Sequence, residues 1–243
     1  MAKDRKILPG LTTQSPDWKK KIDEIGKLGL KEIALFPTSL SEIERKALYS
    51  RLEQTEIQRI PHVHAMAEFE EAEMDYLVGR FQVERFNLHP RLDAFRHQKS
   101  KHWKNIYIEN LHHYIAPDER NLFSQEAFGR YSVAGICLDL SHLENERLIF
   151  PDNYSETLEM IKKFKIGCNH VSGIAAEPTT ENVYGIKIYD VHRIEGQSQL
   201  EYLEKMPLKF FSDIVSIELE NSFEEQLEFK KYIGSIIKSK END

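Results

Sequence analysis

The residues of this chain best suited to chemistry are acids and histidines that end short apolar runs. Gly135-Ile136-Cys137-Leu138-Asp139-Leu140-Ser141-His142 sets the pattern, with an aspartate where the run stops and a histidine three residues later. A carboxylate buried at the end of a strand needs hydrogen bonds or a cation, and an imidazole beside it points to a metal. The arrangement recurs. His62, His89, Glu109, His170 and Glu218 each end or follow an apolar, β-rich run, and Asp190 and His192 stand two apart. Any one of these residues alone reads as an ordinary hydrogen-bonded or solvated group. Together they read as a metal centre, because packing does not call for an acid or an imidazole at the same end of successive strands. Imidazole and carboxylate without thiolate suit a divalent transition metal, zinc foremost and manganese or iron next, better than calcium or magnesium.

Such residues act together only if the fold gathers them. Apolar strand-like runs at 6–11, 32–36, 57–63, 83–88, 105–110, 135–139, 166–171 and 214–219 alternate with helical stretches. Pro16 opens the first helix and Gly29 closes it, while Ser41 and Glu44 form a capping pair for the second, which runs to about residue 54. Further helices are expected near 68–79, 121–130, 154–165, 201–205 and 222–237. Eight strands alternating with helices predict an α/β fold, a (β/α)8 TIM barrel, in which every strand's carboxyl end opens on one face. His62, His89, Glu109, Asp139, His142, His170, Asp190, His192 and Glu218 would then line one pocket. The basic run Arg91, Arg96, Lys99, Lys101 and Lys104 reads as a solvated helix face, with Arg91 alone close to His89.

The 243 residues are expected to form a single domain over 1–243, and a formal net charge of −7 argues against a general polyanion-binding surface. Cys137 and Cys168 sit in apolar runs and read as small core residues rather than a disulfide. No run is long enough to span a membrane, and residues 1–6 are not followed by a signal-peptide core, so a cytoplasmic location is expected. No obligate protein partner is evident.

Pro61-His62, Asn87-Leu88-His89-Pro90, Ile108-Glu109-Asn110, Cys137-Leu138-Asp139-Leu140-Ser141-His142, His170, Asp190-Val191-His192 and Glu218 resemble the metal-binding motifs of endonuclease IV, within the xylose isomerase-like TIM-barrel superfamily. The resemblance runs from about residue 57 onward, and the first two β/α units match only in fold. It implies one zinc on His62, His89 and Glu109, a second on Glu109, Asp139, His170 and Glu218, and a third on His142, Asp190 and His192. The implied reaction is phosphodiester hydrolysis in damaged DNA, at abasic sites. Two departures bear on the substrate. Leu111-His112-His113-Tyr114 stands where those relatives carry a Gly-rich segment, and their longer DNA-contacting loops are not evident.

Arg91 and Arg193 are candidate phosphate contacts, and His64, on the same strand face as His62, is a candidate supporting group. His112 and His113 read as exposed loop, and residues 172–189 are placed to cover the barrel mouth. The competing reading is a sugar or sugar-phosphate isomerase or epimerase. It needs one metal on Glu109, Asp139, His170 and Glu218, with Glu109 and Glu218 as the catalytic acid/base pair. Short loops and acidic charge favour the isomerase, while His62, His89, Asp190 and His192 favour the hydrolase. A barrel without catalysis, its ring of acids and histidines a relic, is the third reading.

Overall fold

The computed structural model describes residues 5–111, 122–178, 180–181 and 185–242. Its strands close into the predicted parallel barrel. They are β1 (Lys6–Leu8, continued as Gly10–Thr12), β2 (Glu32–Phe36), β3 (Arg59–His64), β4 (Arg85–Leu88), β5 (Ile106–Glu109), β6 (Ile136–Asp139), β7 (Ile166–Val171) and β8 (Ile214–Ile217). Each pairs in parallel with the next, and β8 pairs back onto β1.

The seam depends on an interruption. Pro9, which has no N–H to give a ladder, splits β1 so that Lys6–Leu8 pairs with β8 and Gly10–Thr12 with β2. A Cβ on Gly10 would lie 2.0 Å from the Ile217 carbonyl oxygen, so only glycine permits this approach. The backbone groups left over are taken up by buried Gln226. Its Oε1 accepts from Gly10 N at 2.7 Å, and its amide donates to the carbonyls of Gly10, Leu219 and Asn221 at 3.0 to 3.1 Å.

Helices α1 (Trp18–Leu28), α2 (Glu42–Glu53), α3 (Glu71–Phe81), α4 (Gln125–Tyr131), α5 (Leu140–Ile149), α6 (Pro151–Lys163) and α7 (Phe223–Asn242) surround the strands. Their ends follow the sequence signals. Gly29 closes α1 at φ 63°, and Ser41 with Glu44 forms the full capping box of α2. After β4 and β7 the expected α-helices are 3-10 segments instead, Leu92–Lys99 and Gln197–Lys205. Among the described residues no helix is long and apolar enough to cross a membrane.

Two interiors result. Between strands and helices lies an apolar sleeve that includes Leu35, Ile60, Val63, Phe86, Ile108 and Leu138 from the strands and Leu48, Leu77, Phe81 and Ile233 from the helices. Each such side chain adds about 1.5–3 kcal/mol by leaving water. The lumen differs. Where barrels of this kind usually stack branched aliphatics, its side chains include His62, Cys137, Cys168 and Ser216, all buried. At its amino end Arg85 forms a bidentate pair with Asp213 at 2.7 and 2.8 Å, also donates to the Gly167 carbonyl, and lies over the Tyr107 ring.

Candidate metal centre

Glu109, the last residue of β5, is the hub of the carboxyl-end face. One oxygen, Oε2, accepts from Asn87 Nδ2 at 2.7 Å and lies 3.9 Å from His64 Nε2, 4.0 Å from His89 Nε2 and 3.5 Å from His170 Nδ1. The other, Oε1, is 3.4 Å from His142 Nδ1. Three strand ends and one helix therefore deliver imidazoles to a single carboxylate.

Asp139 does two jobs because it ends β6 and caps α5 without an intervening loop. Its Oδ1 accepts from the backbone of Ser141 and His142 at 2.8 and 2.9 Å and from the Ser141 hydroxyl, which leaves Oδ2 facing the cluster. Asn110 fixes the aspartate's backbone, accepting from Asp139 N at 2.7 Å and donating to its carbonyl at 3.1 Å. The first turn of α5 then aims His142 inward, which is the physical content of the Asp-x-x-His spacing. His170 completes the middle. Its Nδ1 lies 3.7 Å from Asp139 Oδ2 and 3.0 Å from Glu218 Oε2, without hydrogen-bond geometry to either.

On the far side Asp190 sits between two histidines, its Oδ2 3.7 Å from His142 Nε2 and 3.5 Å from His192 Nε2. The Ser172 hydroxyl bonds Asp190 Oδ1 and, at 2.7 Å, Ser141, so the two acid-bearing segments are tied together. His192 Nδ1 meets the Glu218 carbonyl at 3.2 Å. Within 172–189, Gly173–Ile174 pairs antiparallel with Asp190–Val191, and this ladder holds Asp190 at the mouth.

The expected convergence holds for eight of the nine residues, and His62 stands apart. Residues two apart on a strand share a face but differ by about 7 Å along it. His64, at the end of β3, joins His89 and Glu109, whereas His62 lies deeper, its Nδ1 against Ser216 Oγ at 2.8 Å. One pleat apart, the two histidines thus join different sets, His64 with Glu109 and His89 and His62 with Cys137 and His170. Arg91 is exposed, pairs with Asp93 at 3.7 Å and shares with His64 and His89 the lining of a cavity of about 280 Å³. Arg193 is also exposed, its charge acting on Asp17 and Glu225 at the starts of α1 and α7. His112 and His113 lie outside the described residues.

These groups fit a metal. Three compact sets, His64–His89–Glu109, Glu109–Asp139–His170 and His64–His170–Glu218, each bring their ligand atoms within 4.8 Å of one another, about the span across one coordinated ion. Buried polar atoms without a partner collect here: Asp139 Oδ2, both ring nitrogens of His170 and His64 Nδ1. Burial pushes the His64 imidazolium down to about 3, so its ring is neutral and carries a lone pair. Burial also opposes charge on Glu218, but His170 and His192 outweigh it and hold the carboxyl at about 2. His142, also disfavoured by burial, is raised to about 9 by Asp139, Asp190 and Glu109. Protonated His142 thus balances acids that a divalent cation would otherwise balance.

No family model matches the sequence, and no curated protein matches it. Among solved structures the chain is similar to a xylose isomerase-like TIM barrel protein from Mycobacterium smegmatis, determined in complex with magnesium. Identity is 12% and the TM-score 0.53, over 96% of this chain and 97% of that one. With the parallel barrel and its carboxyl-end cluster already in place, this likeness extends over nearly the whole length of both molecules. The chain has the xylose isomerase-like TIM-barrel fold.

Proposed function

We propose that this chain is a metal-dependent phosphoesterase that hydrolyses phosphodiester bonds with more than one divalent ion, zinc being the best match to its donors. The observation that carries the reading is the environment of Glu109: His64, His89 and His170 around one oxygen and His142 beside the other. Four imidazoles round one carboxylate are more than a single ion needs, and they fit several ions set about Glu109. His64, His89 and Glu109 would hold one ion, Glu109, Asp139, His170 and Glu218 a second, and His142, Asp190 and His192 a third. Bound ions of this kind supply an acidic water, a clamp on the phosphate and charge compensation for the leaving oxygen.

The protein's own groups divide the remaining work. Asn87 and Asn110 fix the orientations of Glu109 and of the Asp139 backbone. Arg91, on the rim of the cavity beside His64 and His89, is placed to receive a phosphate oxygen. An abasic-site duplex is the first substrate to try, since it matches the motif resemblance.

A sugar isomerase or epimerase is the second reading. It is favoured by Glu109 and Glu218 flanking His170, by the net charge of −7, and by the magnesium bound to the structural neighbour. Metal counting on chelator-free protein, with assays on an abasic duplex and on bis(p-nitrophenyl) phosphate, separates the two. The expectation is more than one transition metal per chain, chelator-sensitive cleavage, and loss of cleavage in His192→Ala with the fold retained. One ion per chain with aldose–ketose interconversion and no cleavage would establish the isomerase instead.

A further inference from the structure

Beneath the carboxylate-rich face the lumen holds a second set of donors, which shares His170 with the phosphoesterase reading and otherwise consists of groups that reading does not use. His62, Cys137 and His170 present ligand atoms within 4.8 Å of one another, and all three are essentially inaccessible to solvent. Cys168 is the register partner of Cys137 on the adjacent strand and packs in one buried cluster with it. Both cysteines are free thiols.

The histidines are what make this more than a pair of small core residues. Ser216 Oγ engages His62 Nδ1 at 2.8 Å and leaves Nε2 buried with no partner, and His170 Nε2 is likewise without one. A buried, unsatisfied imidazole nitrogen costs about 1–3 kcal/mol, a cost that an aliphatic residue at the same place would avoid. A metal-binding histidine commonly has one ring nitrogen fixed by a hydrogen bond and the other left for the ion, and the Ser216 contact leaves His62 in that state.

We propose that His62, Cys137 and His170, with Cys168 as fourth donor, form a further buried site for a thiophilic divalent ion such as zinc, one layer below the carboxylate centre. Two thiolates neutralise a divalent ion, so the filled site buries no net charge, and each thiol proton leaves to solvent on binding. Thiolate and imidazole reject magnesium, so the two layers select different metals. His170 is shared by the two sets, its Nδ1 standing 3.0 to 3.7 Å from carboxylate oxygens of Glu109, Asp139 and Glu218; it serves both at once only as an imidazolate, its ring proton leaving to solvent.

Cobalt(II) reports thiolate ligation directly. The full chain, titrated with cobalt(II) in the presence of excess magnesium, is expected to develop an intense near-ultraviolet thiolate-to-cobalt charge-transfer band that saturates at about one ion. Cys137→Ser should abolish the band, Cys168→Ser should weaken it, and Glu218→Gln should leave it intact. The Glu218→Gln result separates this site from the carboxylate centre, whose failure would appear as lost ligand-field bands and lost zinc with the charge-transfer band unchanged. A wild-type chain showing only weak visible bands overturns the proposal without recourse to any variant. So does a band equally strong in Cys137→Ser.

Discussion

The two ends of the barrel lumen both carry charged groups, half-buried at the amino end and buried at the carboxyl end, and dispose of them in opposite ways. At the amino end Arg85 is met by both oxygens of Asp213 and by the Gly167 carbonyl, in geometry that leaves the pair nothing further to bind. At the carboxyl end Asp139 Oδ2, His170 and His64 keep buried atoms without hydrogen bonds, although acids and imidazoles stand 3 to 4 Å apart. Buried polar groups are ordinarily paired, so the first end has the character of a structural plug and the second that of a binding site. The same contrast runs through the sleeve, where Arg45, Glu73 and Tyr49 form a closed network at 2.7 to 2.8 Å.

The sharpest way to break this comparison is to cut the plug. Arg85→Ala leaves Asp213 without its guanidinium and is expected to cost about 1.5–3 kcal/mol in urea unfolding, while the metal content of the folded fraction stays the same. A loss of metal with little loss of stability would show that the two ends had been assigned the wrong way round.

The mouth should respond to its ligand instead. Zinc at about 100 times its Kd is expected to raise unfolding stability by about 2.7 kcal/mol, reversibly with chelator. Glu109→Gln should remove most of that gain, since the amide cannot bridge two ions. The gain should also depend on pH. His142 holds its proton up to about 9, and coordination must displace it, so zinc affinity is expected to climb from pH 6 toward pH 9. An affinity flat across that range would place His142 outside the metal set.

How far the sequence foretold this contrast follows from what each residue depends on. The strands and most of the mouth were legible, because apolar runs and their acidic or imidazole ends are local. The Ser41–Glu44 and Gly29 helix ends were legible for the same reason. His62 and His64 were not separable by pattern: both face inward, and only the pairing of β3, which carries the strand on to His64, decides which reaches the mouth. Helix α5 is not legible in the sequence because it starts on the residue directly after the one that ends β6, with no loop between them. Nothing local distinguishes Arg85 from the exposed arginines, because its partner lies 128 positions away.

Glu146 tests whether buried, unsatisfied charge belongs only where a ligand can use it. It projects from α5 toward α6, fully buried, with Oε2 accepting from Thr157 at 2.8 Å and Oε1 without a partner. Among the described residues no metal set includes it. Burial raises its carboxyl to about 8, so the native state holds this proton more tightly than the unfolded chain, whose glutamates titrate near 4.3. Stability from this group is therefore full below about pH 4 and is lost as the pH rises through 8. Glu146→Gln keeps an acceptor for Thr157 and has no charge to bury. It is expected to stabilise the protein by about 1–2 kcal/mol at pH 8, by progressively less toward pH 5, and to leave zinc binding unchanged. Thermal unfolding at the two pH values measures the gain. If the substitution instead strips zinc from the mouth, the unpaired Glu146 oxygen is part of the binding site, and the boundary drawn between satisfied frame and unsatisfied centre has to move outward to include α5.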